Sequence, residues 1–291
     1  MSQANAAGPW IIVGGASRAG KALAARLTQE AVIPVVRSPS GLPREVVVTA
    51  YDTVPDDVSL TGATIVVCAG TPLGSADELQ RANCAVPIAW ARQALVQGAT
   101  RLIQISSFSV FGGATLIDDT SPLAPTSGYG HSKLAAEQAL AASGLGERLT
   151  ILRVPILIGG GEDKLAQLTG LVRRSGIIPA APYPTPRSML SYDALAATIL
   201  RVRREALGGR RFAADLVPFT PDLMAQRASA LRISTRKIRI PGAALAIVRR
   251  AAPGLHSSLF MPNVLDEKVN LVPSDENYEN IEAVLDRLLK A

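Results

Sequence analysis

Short runs of β-branched residues alternate with helical patterns in the first half of this chain, and no other feature restricts its fold as strongly. Parallel strands need long crossover connections, which helices usually supply. The alternation therefore indicates an α/β fold, a doubly wound parallel sheet with helices on both faces. The predicted strands are Pro9–Gly14, Val32–Val36, Glu45–Thr49, Ala63–Cys68, Arg101–Ile105 and Leu149–Leu152, and the clearest helical patterns span 78–97 and 129–143.

A glycine-rich turn links the first predicted strand to a helix. Gly14 and Gly20 stand at its two ends, Ser17 lies between them, and the helical pattern Lys21–Leu27 follows. Glycines allow the backbone to approach a pyrophosphate, and the free amides at a helix start can bind it. The turn favours a Rossmann sheet that binds a dinucleotide through Gly14, Ser17, Arg18 and Gly20. A plain strand-to-helix turn explains the same residues equally well.

The end of the second predicted strand bears on the choice of dinucleotide. An acidic residue there would hydrogen-bond the adenosine ribose of NAD, whereas this chain has Arg37. A guanidinium suits the 2′-phosphate of NADP. NADP is therefore the preferred cofactor and NAD the alternative, with Arg18 as a second positive group near the phosphates.

Tyr129 and Lys133 lie four residues apart in a helical pattern, so their side chains share one helical face. An ammonium beside a phenol favours the phenolate and lowers the pKa of the tyrosine toward the physiological range. Such a pair can donate and recover protons. The same spacing is common on surface helices without any chemical role.

Charge and length exclude several classes of protein. The chain has 291 residues, 30 Lys and Arg against 24 Asp and Glu, and a net charge of +6. Its basic residues are scattered without interleaved aromatics, which favours a small anionic ligand over nucleic acid. No apolar run is long enough to span a membrane, and no signal peptide is evident, so we expect a soluble cytoplasmic protein. Cys68 and Cys84 are expected to be buried thiols, and no metal site is predicted.

The pattern changes after Pro155, which suggests a division into domains. We predict a dinucleotide-binding core over 9–154, to which 187–214 returns. A smaller substrate-binding cap comprises 155–186 and 215–291, and the small polar residues 1–8 form a disordered tail. The fold is thus a Rossmann core with a C-terminal substrate-capping region.

Several ordered segments resemble the extended short-chain dehydrogenase/reductase family, which includes nucleotide-sugar epimerases, dehydratases and ketoreductases. Their order and spacing carry the resemblance, which extends from about residue 10 to 200 and is vague thereafter. Ser17 in the turn and Phe111, where the family usually has tyrosine, are departures from its pattern. The segments are Gly14–Gly20, Asp52, Cys68–Gly70, Gln104–Gly112, Pro125–Glu137, Arg153–Pro155 and Arg187–Ala196.

The resemblance implies roles for individual residues. Ser107 would hydrogen-bond the reacting oxygen, Tyr129 would act as general acid and base, and Lys133 would lower the pKa of the tyrosine and bind the nicotinamide ribose. Ser109 and Arg187 would contact substrate, with Arg187 at a diphosphate. The implied cofactor contacts are Gly14, Ser17, Arg18, Gly20, Arg37, Asp52 at the adenine, Ala69, Gly70, Tyr129, Lys133, and Pro155 at the nicotinamide. Asn83 stays outside the predicted catalytic set.

The residues after Ser107 narrow the reaction. Family dehydratases carry an Asp-Glu pair there, and members that combine epimerisation with reduction carry a cysteine at the second position, whereas this chain has Phe108 and Ser109. Plain hydride transfer remains. The preferred interpretation is NADPH-dependent reduction of a keto group on a nucleotide-linked sugar, with a nucleotide-sugar 4-epimerase or a reductase of another carbonyl as alternatives. A non-catalytic NADP-binding sensor is the alternative from another class, and a homodimer is expected by analogy.

Overall fold

The computed structural model describes residues 8–161, 163–251, 260–274 and 277–291. Most of the predicted disordered tail, residues 1–7, lies outside the described residues. Gly8 is described, and its carbonyl accepts a hydrogen bond from the Arg203 guanidinium at 2.7 Å. The strands are β1 Trp10–Val13, β2 Val32–Val36, β3 Val46–Val47, β4 Thr64–Val67, β5 Arg101–Ser107, β6 Leu116–Ile117, β7 Leu149–Val154, β8 Ile156–Ile158, β9 Ile177–Ala180, β10 Met189–Ser191, β11 Gly209–Phe212, β12 Arg236–Arg239 and β13 Val264–Leu265.

The helices of the described residues follow the strands in alternation through the first half of the chain. A π-helical turn, Arg81–Ala85, joins the second helix to the third. The helices are α1 Arg18–Arg26, α2 Ala76–Gln80, α3 Val86–Gln97, α4 Gly128–Ala141, α5 Lys164–Ser175, α6 Tyr192–Arg204, α7 Pro221–Ala230, α8 Gly242–Ala251 and α9 Ile281–Lys290. No helix within the described ranges is long and apolar enough to cross a bilayer.

The first of two compact units contains residues up to Gly112, Leu123–Val154 and Leu195–Phe212. Its seven strands form one parallel sheet in the order β11-β7-β5-β4-β1-β2-β3. Strands such as β1 and β4 are buried at every position, as expected where helices cover both faces. The doubly wound parallel sheet predicted from the sequence is confirmed.

The strand order reverses between β1 and β4, and the carboxyl ends of the strands at such a switch point form the usual ligand crevice of this architecture. Gly14 follows β1, Ala69 and Gly70 follow β4, and Ser107 ends β5. The parallel register therefore brings these separate segments to one edge of the sheet.

The second unit contains Gly113–Pro122, Pro155–Ala194 and the described residues after Ala213. It holds three two-stranded parallel pairs, β8 with β10, β9 with β12, and β6 with β13. Apolar faces of α5, α7 and α9 form its core. The unit includes 113–122, 187–194 and 213–214, all of which the predicted division assigned to the core domain.

Helix α5 is an element that the sequence prediction missed. Asp163 caps its start, where its Oδ1 accepts a hydrogen bond from Ala166 N at 2.9 Å, and Gly176 with φ +69° ends it. A capping aspartate and a terminal glycine at this spacing are ordinary helix boundaries. The surrounding glycines and prolines obscured them in the sequence.

Candidate active site

The glycine turn after β1 is tightly packed against main-chain atoms, both of the turn itself and of the β4 end. Gly14 has φ +84°, and a Cβ there would lie 2.8 Å from Ala69 N. A Cβ on Gly20 would lie 2.6 Å from Gly14 O and 2.7 Å from Gly15 O. Neither position accepts a side chain without movement of the main chain, so the two glycines are required by the turn itself.

Ser17 explains the missing middle glycine. It is the N-cap of α1, and its Oγ accepts a hydrogen bond from Gly20 N at 3.1 Å. Serine is among the favoured residues at this position because it satisfies one of the amides that a helix start leaves unpaired. Arg18 is exposed at the first position of the helix.

Arg37 lies directly after β2 and is exposed. Its guanidinium carbon is 5.3 Å from the centre of the Tyr51 ring, at a distance typical of a cation–π contact. Tyr51 precedes Asp52, which is half-buried. The tyrosine carbonyl accepts a hydrogen bond from the Trp90 indole at 2.8 Å. This contact links the loop that carries Asp52 to the apolar core.

Ser107 and Tyr129 are brought together by the end of β5 and the start of α4. Ser127 caps that helix and accepts a hydrogen bond from Gly130 N at 3.1 Å. A Cβ on Gly130 would lie 2.5 Å from Ser109 O, so the glycine allows the helix start to approach the turn after Ser107. The Ser107 hydroxyl lies close enough to the Tyr129 phenol to lower its pKa. Gly130 was not predicted, although its place beside Tyr129 in the sequence could have suggested it.

Lys133 completes this group from one helical turn further along α4. Its Nζ is 5.8 Å from the centre of the Tyr129 ring and donates a hydrogen bond to Ile105 O at 3.0 Å. Burial lowers the pKa of Lys133 to about 8, and the Glu137 carboxylate opposes that change. A Cβ on Gly70 would lie 3.4 Å from Lys133 Nζ, which places the β4 end beside the ammonium.

The pKa of Tyr129 differs from the expectation based on spacing. Burial raises it above the ordinary value, and the hydrogen bond with Ser107 offsets part of that rise. The predicted lowering by Lys133 was wrong, because desolvation of the phenolate dominates and the ammonium donates its hydrogen bond to Ile105 O. Tyr129 is therefore a protonated phenol at neutral pH.

Asn83 connects the end of β4 to α4. It is fully buried in the π-helical turn, where its Nδ2 donates to Thr71 O at 2.8 Å and to Ser132 Oγ at 3.1 Å. Its Oδ1 accepts from Thr71 N at 3.0 Å. Ser132 Oγ in turn donates to Tyr129 O at 2.9 Å. Asn83 lies in the middle of a long helical stretch made of α2, the π-helical turn and α3.

A buried ion pair lies one turn beyond Lys133. Arg153 Nη2 donates to Glu137 Oε2 at 2.6 Å, and Ser106 Oγ donates to Glu137 Oε1 at 2.5 Å. The ion-paired side chains are 4% and 2% exposed. The pair joins α4 to β5 and β7, beside the strand end that carries Ser107. The sequence contained both residues within matched segments but gave no sign that they pair.

Phe108 and Ser109 occupy the positions where dehydratases have carboxylates. The Phe108 ring is buried and packs edge to face with Phe111, with ring centres 6.2 Å apart. Ser109 Oγ accepts a hydrogen bond from Ser107 Oγ at 3.1 Å. The turn thus offers hydroxyl groups and an aromatic ring beside Tyr129, with no acidic side chain of its own.

The comparisons with known proteins agree with this geometry. Residues 10–175, more than half of the chain, match the NAD dependent epimerase/dehydratase family. The chain belongs to this family. As a family member it is an enzyme of the NAD(P)-dependent oxidoreductase type that uses a nicotinamide cofactor. No curated protein shows a significant match.

Solved structures of the epimerase/dehydratase kind share the fold at low sequence identity. A dTDP-4-dehydrorhamnose reductase from Clostridium acetobutylicum is 17% identical, with a TM-score of 0.72 over 97% of this chain and 99% of that one. The same enzyme from Yersinia enterocolitica is 18% identical, with a TM-score of 0.71 over 97% and 98%. A UDP-glucuronic acid 4-epimerase from Bacillus cereus in complex with NAD is 13% identical, with a TM-score of 0.71 over 96% and 94%.

Arg187 and Pro155 lie in the second unit. The backbone of Arg187 pairs with Phe219 in both directions, at 3.0 and 2.7 Å, and its Nη1 donates to Met261 O at 2.9 Å. Burial lowers the pKa of its guanidinium to about 10. Burial, together with the nearby positive charge of Arg187, lowers the pKa of Lys164. Pro155 is buried directly after β7.

Among the described residues, no three histidine, cysteine or carboxylate side chains come together as a metal site requires. Cys84 is buried, Cys68 is partly buried, and neither is in a disulfide.

Proposed function

We propose that this epimerase/dehydratase family member reduces a keto group of a nucleotide-linked sugar. The observation that carries the proposal is the proximity of three side chains: the Ser107 hydroxyl lies close enough to Tyr129 to influence its pKa, and Lys133 Nζ is 5.8 Å from the centre of the Tyr129 ring. Hydride addition to a carbonyl carbon builds negative charge on the oxygen, which a hydroxyl can stabilise and a phenol can protonate. These residues provide both groups at one place.

The glycine turn fits a dinucleotide. Side chains are excluded from Gly14 and Gly20 by backbone contacts, and α1 begins between them. The residues that would hold the cofactor are Gly14, Ser17, Arg18, Gly20, Arg37, Asp52, Ala69, Gly70, Tyr129, Lys133 and Pro155. When bound, the nicotinamide ring supplies the hydride.

The side chains of the protein supply the proton for the substrate oxygen. Tyr129 has a raised pKa, so at neutral pH it holds a proton that it can donate to the substrate oxygen. The Ser107 hydroxyl, held by hydrogen bonds with the backbone amide and hydroxyl of Ser109, would hydrogen-bond the same substrate oxygen. Lys133, with a pKa of about 8, is mostly charged at neutral pH and favours the phenolate that remains after the proton leaves.

Reduction is favoured over the other reactions of the family by the groups beside Tyr129. Elimination needs carboxylates, and Phe108 and Ser109 are not acidic. The similar structures include two dTDP-4-dehydrorhamnose reductases, which supports a nucleotide-linked 4-keto-sugar as substrate. A UDP-glucuronic acid 4-epimerase has the same fold, so a 4-epimerase is the second candidate. Substrate phosphates would bind Arg187, with Lys164 as a second cation.

NADPH is the proposed reductant because Arg37 follows β2 as an exposed guanidinium braced by Tyr51. Substitution Arg37→Ala should raise KM for NADPH roughly tenfold and leave KM for NADH nearly unchanged, since a charged hydrogen bond is lost only with NADPH. Arg44→Ala, in the exposed loop that follows, is the matched control. Equal changes for both cofactors would exclude the proposed role of Arg37.

The central test is turnover of nucleoside-diphosphate 4-keto-hexoses with NADPH. Tyr129→Phe should lower kcat roughly a hundredfold or more by removing the acid, while NADPH still binds, as measured by nucleotide fluorescence. Tyr183→Phe, at an exposed tyrosine, should leave turnover unchanged. Unchanged turnover in Tyr129→Phe would refute the mechanism. NADPH binding without turnover of any keto-sugar would favour a reductase of another carbonyl or a sensor.

The homodimer and the cytoplasmic location expected from the sequence stay predictions. Sedimentation velocity and cell fractionation test them.

A further inference from the structure

The second unit carries an unusual concentration of positive charge. Residues 223–265 contain seven Lys and Arg and no Asp or Glu, so this stretch alone exceeds the net charge of +6 for the whole chain. Two of the seven are paired, Arg227 with Asp286 and Lys237 with Asp222. The charge of the others must be balanced by solvent ions or by a partner.

Five of the seven residues lie on two consecutive elements, β12 and α8, and β12 begins beside the end of α5. Helix α5 ends at Ser175, and Gly176 O accepts a hydrogen bond from Arg236 N at 2.7 Å, which starts β12 beside β9. The chain then leaves β12, Ile240 N donates to Ala180 O at 2.8 Å, and α8 follows. Leu245 of α8 is anchored in a small apolar cluster that includes Ile240.

The region exposes aliphatic side chains among its arginines. Ile177 and Ile238 are 38% and 40% exposed, and Ile247 on α8 is 68% exposed. We call the set Arg173, Arg174, Ile177, Arg236, Ile238, Ile247, Arg249 and Arg250 the basic apolar face. Within the described part of the chain, none of its arginines forms an ion pair.

Helix α8 shows the pattern most clearly. Leu245 is its one buried residue in the described structure, and the opposite side presents Ala243, Ala246, Ile247 and Arg250. The outward face of a surface helix in a soluble protein is normally polar. Arginines on the edge strand β12 would by themselves protect the strand from pairing, but that role does not require exposed isoleucines beside them.

We propose that the basic apolar face docks on an anionic lipid surface. Arginines interspersed with aliphatic side chains on a short amphipathic helix are the features that bind at a headgroup boundary, by attraction to anionic lipid and by shallow insertion of apolar groups. Nucleic acid would be met instead by arginines with stacking aromatics, and this face has isoleucines. The proposal concerns a surface and is independent of the proposed reaction.

Flotation of the full chain with vesicles tests this proposal. The protein should float with vesicles of phosphatidylcholine mixed with phosphatidylglycerol, should not float with phosphatidylcholine alone, and should be released by high salt. Arg236→Glu/Arg250→Glu should lower partitioning roughly 25-fold or more, because each arginine near an anionic surface contributes roughly a fivefold factor. The control Arg92→Glu/Arg210→Glu makes the same change in net charge at exposed sites of the first unit and should bind normally.

Ile247→Ser separates lipid insertion from simple attraction between charges. It should reduce binding to the anionic vesicles roughly tenfold at constant charge. Val96→Ser, at a residue 80% exposed on α3, should have no effect. Thermal unfolding of each variant verifies that it is folded.

Three results would overturn the proposal. The first is absence of flotation with anionic vesicles. The second is tight binding to duplex DNA, unaffected by Ile247→Ser, in a protein that does not bind vesicles. The third is self-association in sedimentation velocity, abolished by Ile247→Ser, in a protein that does not bind vesicles.

Discussion

The substitution Glu137→Gln should destabilise the first unit by about 3–5 kcal/mol, the range for breaking a buried ion pair. The Glu137 carboxylate accepts hydrogen bonds from Arg153 at 2.6, 3.1 and 3.2 Å and from Ser106 at 2.5 Å. Glutamine has nearly the same shape, so little packing is lost. Its amide can still accept from one neighbour, but the Arg153 guanidinium is left charged and unpaired between the rings of Phe111 and Phe212.

Urea unfolding followed by tryptophan fluorescence measures this loss. The chain has two tryptophans, Trp10 and Trp90, and both are buried in the first unit. Glu205→Gln is the control, because its pair with Arg201 is 30% and 40% exposed and should contribute no more than about 0.5 kcal/mol.

A double variant tests the cause of the destabilisation. Glu137→Leu/Arg153→Met removes both charges and should recover much of the stability lost in Glu137→Gln, because no unpaired charge remains. If Glu137→Gln cost no more than Glu205→Gln, or if the double variant were less stable than the single one, the assigned role of the pair would be refuted.

Two further predictions concern the turn and a buried carboxyl. Gly20→Ala should abolish NADPH binding in fluorescence titration, because its Cβ would lie 2.6 Å from Gly14 O. The control Gly113→Ala would meet no atom within 4 Å and should bind NADPH normally. Equal NADPH binding by the two variants would contradict the packing argument. Burial raises the pKa of Asp215 to about 7, so the folded state holds this proton more tightly than the unfolded chain does. The free energy of unfolding therefore falls as the pH rises from about 4 to about 7. Asp215→Asn should flatten that fall by up to about 4 kcal/mol in urea unfolding at the two pH values, and an unchanged slope would exclude the assignment.

The glycine turn and the main sheet could be predicted because their signals are local. An apolar run of β-branched residues specifies a buried strand, and alternation with helices specifies parallel neighbours. Tyr129 and Lys133 share a face because four residues make about one helical turn. The family resemblance, which rests on the order of segments, predicted Ser107 beside Tyr129 and Lys133. In the structure, β5 pairs in parallel with β4 and β7 and carries Ser107 to the carboxyl edge of the sheet.

The second unit was harder to predict for a physical reason. Its strand pairs are short, and its helices are bounded by glycines and prolines, so no long periodic pattern marks them. Helix α5 depends on the Asp163 cap and on packing of Leu165 and Val172 in the core of that unit. Its apolar residues acquire a partner only when α9, more than a hundred residues away in the sequence, has folded against them.

The sequence by itself determined the alternating strands and helices of the parallel sheet, the turn at Gly14–Gly20 and the shared face of Tyr129 and Lys133, since each follows from spacing along the backbone. The tertiary structure alone decided the electrostatics of the site. Tyr129 has a raised pKa because it is desolvated, and Lys133 is directed to Ile105 O, 28 residues away. Glu137 holds a buried Arg153 that no local pattern connects to it. Desolvation and ion pairing depend on what surrounds a group in space, and that environment exists only after the chain has folded.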